Sequence, residues 1–192
     1  MNWLAHLLLS DDDAEFRMGN ILADWVKGEA RNELSVGIRR GITCHLEIDL
    51  FTDTHPIVRQ SQTRIQPPYR RFGSVLVDVF YDHFLTVDWA RYCDVPLQAW
   101  IKHVYLQFSG YEGFLQPQVR TGLLRMASDD WLGSYRTISG IDAILKRMSQ
   151  RLSRPTVMGD GAIELAAHYD GLRDDFHAFF PLLRTHMRAW SG

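Results

Sequence analysis

The sequence predicts an all-α protein, a single domain built as a helical bundle. Three observations carry this. Apolar residues recur at helical spacing along most of the chain. Glycines and prolines fall between those runs, with few exceptions, and no alternating strand pattern lasts more than a few residues. The 192 residues, 46% hydrophobic and 12% aromatic, suffice for one sizeable core and exclude disorder and fibrous repeats.

Helices are expected over 2–9, 18–28, 33–52, 55–65, 69–86, 96–109, 117–131, 138–152 and 161–188. The first gathers Trp3, Leu4, Leu7 and Leu8, then meets Asp11-Asp12-Asp13. The second carries Ile21, Leu22, Trp25 and Val26, and the third Ile42, Leu46, Ile48 and Leu50. Pro56 suits the first turn of the fourth, and Pro67-Pro68 opens the fifth. The next three follow the same spacing between breaks. Ile163, Ala166, Ala167, Leu172 and Phe176 continue a long last helix whose polar face holds Arg173, Asp174 and Asp175.

Two cysteines, Cys44 and Cys93, make neither a disulfide framework nor a zinc motif, so a reducing compartment is expected. The apolar start is short and has no basic leader. No stretch approaches the roughly 20 apolar residues of a membrane span. A cytoplasmic protein without membrane contact is the reading. The net charge of −2 argues against a general nucleic-acid binder.

The informative feature is a set of polar residues inside apolar helices. Asn2 and His6, Asn20 and Asp24, and His45 and Asp49 are each four apart, and Asp78 and Asp82 repeat the spacing beside His83. That spacing puts each pair on one helix face. Carboxylates in such surroundings are costly unless paired, hydrogen-bonded or bound to metal. Four helices can converge in a bundle core, where inward side chains build metal sites. A His and Asp set without thiolate suits Mn²⁺, Fe²⁺ or Mg²⁺ better than structural zinc. Asp24, His45 and Asp82 are the expected metal ligands, with Asp49 as a fourth. His6, Asp49 and Asp78 stay open between direct ligation and orienting the ligands, while Asn2 and Asn20 read as capping or supporting groups. Gly37 and Gly41 fall in line with His45, Asp49 and Asp53 at the same spacing, which suggests close approach of a neighbouring helix or a ligand.

At these residues the sequence resembles the bacterial acyl-carrier-protein phosphodiesterase family. The motifs are Met1-Asn2-Trp3-Leu4-Ala5-His6-Leu7, Gly19 to Gly28, Gly41 to Asp53 and Asp78 to Leu85, with weaker matches at Trp131 to Arg136, Arg154-Pro155 and Ala167 to Asp170. The resemblance implies hydrolysis of the phosphodiester that joins 4′-phosphopantetheine to a serine of acyl carrier protein, with a divalent metal, Mn²⁺ preferred. It also implies a distant relation to helical HD-domain phosphohydrolases. The doublet here, Asp82-His83, runs in the reverse order. His83 is the expected general acid, or else a ligand or a core residue, and Asp78 and His6 complete the expected catalytic set.

The implied partner, holo-acyl carrier protein, is acidic. Residues 31–74 sum to +3, and every base there is arginine. Arg39, Arg40, Arg59, Arg64, Arg70 and Arg71 are therefore the expected docking residues. Two other readings remain: another HD-like metal phosphohydrolase, and a non-catalytic helical module that binds carrier protein.

Overall fold

In the computed structural model, which describes residues 1–191, the chain folds as ten α-helices joined by short 3₁₀ turns, with no strand among the described residues. They are α1 Trp3–Leu8, α2 Ala14–Leu22, α3 Val36–Thr54, α4 Pro56–Arg64, α5 Gly73–Val87, α6 Leu97–Ser109, α7 Pro117–Ser128, α8 Ile138–Ser149, α9 Ala162–Ala167 and α10 Tyr169–Ala189. The all-α expectation agrees with this architecture. No helix among the described residues is long and apolar enough to cross a membrane.

Several boundaries differ from expectation because capping side chains set them. Asp13 accepts from the Phe16 N–H and starts α2 four residues earlier than the apolar pattern suggested, and α2 ends at Leu22. Asp24 therefore sits in a turn, not on a helix. Ser35 caps α3 by accepting from the Ile38 N–H. The expected helix over 69–86 opens as a 3₁₀ turn, Arg70–Phe72, before α5. The expected 161–188 helix is two helices. His168 leaves the helical region between them (φ −121°, ψ 22°), and Tyr169 reaches from there to the His83 ring.

Helix α5 is the centre of the core. Leu76, Val77, Val79, Phe80, Tyr81, Phe84 and Leu85 are all fully buried, so it is covered on every side. Phe176 and Phe179 of α10 pack over it through Tyr81 and Phe84, and Phe180 stacks on Phe176. Helices α2 and α3 pack backbone to backbone at a glycine pair. A Cβ on Gly41 would lie 2.9 Å from the Gly19 Cα and overlap the Phe16 carbonyl oxygen. The expected close approach is therefore real at Gly41. At Gly37 the neighbour is only the Glu15 side chain.

Candidate active site

Helices α1, α3, α5 and α8, the turn after α2 and the 3₁₀ turn Gly133–Arg136 enclose a cavity of about 390 Å³. Asn2 caps α1 by accepting from the Trp3 N–H, and His6 follows one turn later, buried. On α3, His45 and Asp49 project into the same space.

One residue orients both imidazoles. Asn20 donates through Nδ2 to the His6 carbonyl (3.1 Å) and to Ser10 (2.8 Å). Its Oδ1 is therefore the acceptor facing His6 Nδ1 at 2.8 Å, and that nitrogen carries the proton. The Asn20 main-chain carbonyl accepts from His45 Nδ1 at 2.8 Å. Both Nε2 atoms are thus turned toward Asp49, at 3.2 Å from Oδ1 for His6 and 3.0 Å from Oδ2 for His45. The rings stack at 4.3 Å. The ligand atoms of His6, His45 and Asp49 all lie within 4.8 Å of one another. Carbonyl oxygens that fix the tautomer of two converging imidazoles are the usual support of metal-binding histidines.

Charges within the cluster are strongly coupled. Burial would raise the Asp49 carboxyl, but the two imidazoles hold it well below the carboxylate range. Burial would lower His45, but Asp49 and Asp24 raise it above its ordinary value. Burial dominates at His6 and lowers it despite Asp49. A carboxylate locked in its charged form beside two imidazoles is a site for positive charge.

The other expected residues divide between the cavity and the core. Asp24 lies at the mouth, with Oδ1 3.6 Å from His45 Nε2 and Oδ2 accepting from Trp3 Nε1 at 3.1 Å. Asp78 lines the cavity and pairs with the Met1 ammonium at 2.9 Å. Asp53 also lines it, its carboxyl raised by burial and by Asp78 and Asp49.

The structure does not bring Asp82 or His83 to this cluster, a correction to both expected roles. Asp82 accepts from the Leu4 N–H (2.7 Å) and the Ala5 N–H (3.3 Å), holding the first turn of α1 against α5. His83 bonds the Tyr135 carbonyl through Nδ1 (2.8 Å) and the Tyr169 hydroxyl through Nε2 (3.1 Å). Neither is on the cavity wall. Both are buried, but α5 is buried all round, so burial there says nothing about direction.

None of the six expected docking arginines lines the cavity. Of these, Arg64 is half-buried and engaged within the fold rather than free on the surface. It grips the buried Asp175 through Nε (2.8 Å) and Nη2 (3.2 Å), beside Ser61 and Gln60. Arg39, Arg40, Arg59, Arg70 and Arg71 are exposed. Arg40 and Arg71 lie over Phe16 and Phe72.

The cavity residues that lay outside the expected site include Trp131, Tyr135, Arg147 and Arg151. Arg147 and Arg151 are four apart, but Arg151 lies beyond the end of α8.

An all-α fold that gathers two imidazoles and a carboxylate in a cavity defines a helical protein with a hydrolase-type site. The chain belongs to the acyl carrier protein phosphodiesterase family, whose model matches residues 1–183. It is 34% identical over 182 residues, 94% of each chain, to the acyl carrier protein phosphodiesterase of Salmonella agona (strain SL483). It is 33% identical, with the same coverage, to those of Salmonella dublin and Salmonella newport (strain SL254). No solved structure matches the chain.

Proposed function

We propose that this protein is a divalent-metal-dependent phosphodiesterase that releases 4′-phosphopantetheine from holo-acyl carrier protein, leaving apo-carrier. The observation that carries the metal part of this reading is the convergence of His6 Nε2, His45 Nε2 and Asp49 within 4.8 Å. The substrate rests on the family membership and the names of the relatives.

The donor set fits a metal. Both Nδ1 atoms are already bonded to Asn20, which turns each Nε2 toward Asp49; His6 Nε2 also has the Met1 carbonyl at 3.2 Å, and Asp49 supplies the charge. His6, His45 and Asp49 would hold the ion, with Asp24 beside them. Two imidazoles with carboxylate oxygen and no thiolate favour Mn²⁺, with Fe²⁺ or Mg²⁺ as alternatives. Such an ion, when bound, supplies positive charge at a phosphoryl oxygen and acidifies water near it.

The chain's own residues do the rest. Asn20 fixes the tautomer and angle of both imidazoles. Asp24 is held by the Trp3 indole N–H with its other oxygen toward the cluster, where it can take a proton from an attacking water. The indole rings of Trp3, Trp25 and Trp131 line the same cavity and offer an apolar wall to the pantetheine arm. Exposed Arg39, Arg40, Arg59, Arg70 and Arg71 steer the acidic carrier by charge.

The test is mass spectrometry of holo-carrier incubated with chelator-treated protein, with and without added Mn²⁺. Loss of phosphopantetheine that requires Mn²⁺, and that is abolished by His45→Ala, is expected. A holo-carrier mass unchanged in Mn²⁺ overturns the reading. Binding without turnover would instead mark a carrier-binding module.

A further inference from the structure

The cavity is divided by charge, and the reading above uses only one side. Away from the imidazoles, Arg147 at the end of α8 and Arg151 just beyond it face the same space. Their guanidinium carbons lie 4.8 Å and 5.8 Å from the centre of the Trp131 ring. Four carboxylates, Asp24, Asp49, Asp53 and Asp78, line this cavity, yet among the described residues neither arginine forms an ion pair with any of them. Two permanent cations held on an indole face, with no anion of their own, make a binding surface for an incoming one.

A second, independent feature is the Tyr135 side chain. It is 2% exposed and lines the cavity, and its hydroxyl has no hydrogen-bond partner in the protein. The ring is buried while the hydroxyl stays open to the cavity, so its donor is free for a ligand.

A rigid aromatic strut links those halves. Trp131 stacks on Trp3 at 5.5 Å, Trp25 meets Trp3 edge-on at 5.9 Å, and the Trp3 indole N–H is bonded to Asp24. The aromatic contacts thus run from the indole under the arginines to Asp24.

We infer that Tyr135, Arg147 and Arg151 form the subsite that grips the non-bridging phosphoryl oxygens of the substrate, opposite in charge to the His6–His45–Asp49 cluster. This deepens the proposed function and rests on it for the identity of the phosphorylated group. Guanidinium forks match paired phosphate oxygens, and the Tyr135 hydroxyl supplies one further donor. The released phosphomonoester carries more charge than the diester, so this subsite binds product as well as substrate.

The experiment compares 4′-phosphopantetheine with pantetheine, which lacks the phosphate, by calorimetric titration of the full-length protein at fixed, saturating Mn²⁺. The unmodified protein should bind the phosphorylated compound more tightly. Arg147→Gln should weaken that compound about tenfold or more and leave pantetheine and Mn²⁺ affinities unchanged. Arg147→Lys should fall between, and Arg151→Gln and Tyr135→Phe should each cost several-fold. Tyr135→Phe keeps the buried ring, so it tests the hydroxyl even if an arginine variant folds poorly. Equal binding of the two compounds by the unmodified protein overturns the inference. So does Arg147→Gln and Arg151→Gln binding of phosphopantetheine within twofold of normal. If those variants instead raise KM for the carrier while the phosphate preference persists, the arginines contact the carrier and the subsite is refuted. Failure of the proposed reaction shows separately, as holo-carrier left intact by the unmodified protein.

Discussion

Replacing Gly41 by alanine tests whether helix contact sets the site. The added methyl would overlap the Phe16 carbonyl oxygen and sit 2.9 Å from the Gly19 Cα. Both neighbours are backbone and cannot rotate aside. Carbon atoms in contact prefer about 3.5–4.0 Å, so the Gly19 contact alone requires α2 and α3 to part by roughly 0.6–1 Å, and the Phe16 oxygen requires more. Asn20 follows Gly19 on α2, and His45 lies one turn beyond Gly41 on α3. The 2.8 Å bond between the Asn20 carbonyl and His45 Nδ1 spans that gap and would stretch past hydrogen-bond range. Overpacking costs about 1–3 kcal/mol and the lost bond about 1, against about 0.5–1 gained in helix propensity. A net loss of about 2 kcal/mol lowers Tm by roughly 4–8 °C for a chain of this size. Thermal denaturation with Mn²⁺ titration reads both effects. Gly73→Ala is the control, because the atoms nearest its methyl, all on Gln62, lie at 3.5 Å or more, ordinary contact. Gly41→Ala that matches Gly73→Ala in Tm and metal affinity would refute a role for the helix contact.

Asn20→Ala removes the acceptor for His6 Nδ1 but keeps the main-chain acceptor for His45, so Mn²⁺ affinity should fall about 10–100-fold, measured by titration. In an Asn20→Ala and His6→Ala double variant the two losses should not add. Arg64→Ala leaves the buried Asp175 without its bidentate partner and should cost about 2–4 kcal/mol in chemical denaturation, less than a fully buried pair because Arg64 is partly exposed. Arg70→Ala and Arg71→Ala should raise KM for the carrier at low salt and leave Tm alone. Burial pushes Asp82 up to about 7, although the Met1 ammonium and the Leu4 and Ala5 N–H groups favour its charged form. Its folded value exceeds the unfolded one, so its stabilisation is full below about pH 4 and is lost as pH rises through 7. The Tm difference between the unmodified protein and Asp82→Asn should therefore change between pH 5 and pH 8, and a constant difference would count against this assignment.

The helices were legible because each buries an apolar face, and the period of that face is a local property of the chain. Their ends were less so, because single side chains such as Asp13 and Ser35 set them. The site was legible where two polar residues share one helix face. His45 and Asp49 are such a pair, and Asn20 proved to be the orienting group rather than a cap. On α5 the same spacing misleads for a physical reason. Asp82 and His83 are adjacent, so on a helix they point roughly 100° apart. One bonds the start of α1 and the other bonds Tyr135 and Tyr169. Polarity inside an apolar helix marks a partner, but that partner can equally be a helix terminus or a carbonyl. Trp131, Arg147 and Arg151 were missed for the opposite reason. Arginine and tryptophan at helical spacing look like an ordinary half-exposed surface. Their meaning lies in what they lack: a carboxylate partner in a cavity lined by four. Only the folded chain reveals that lack, because Trp3, which ties Trp131 to Asp24, comes from the other end of the sequence.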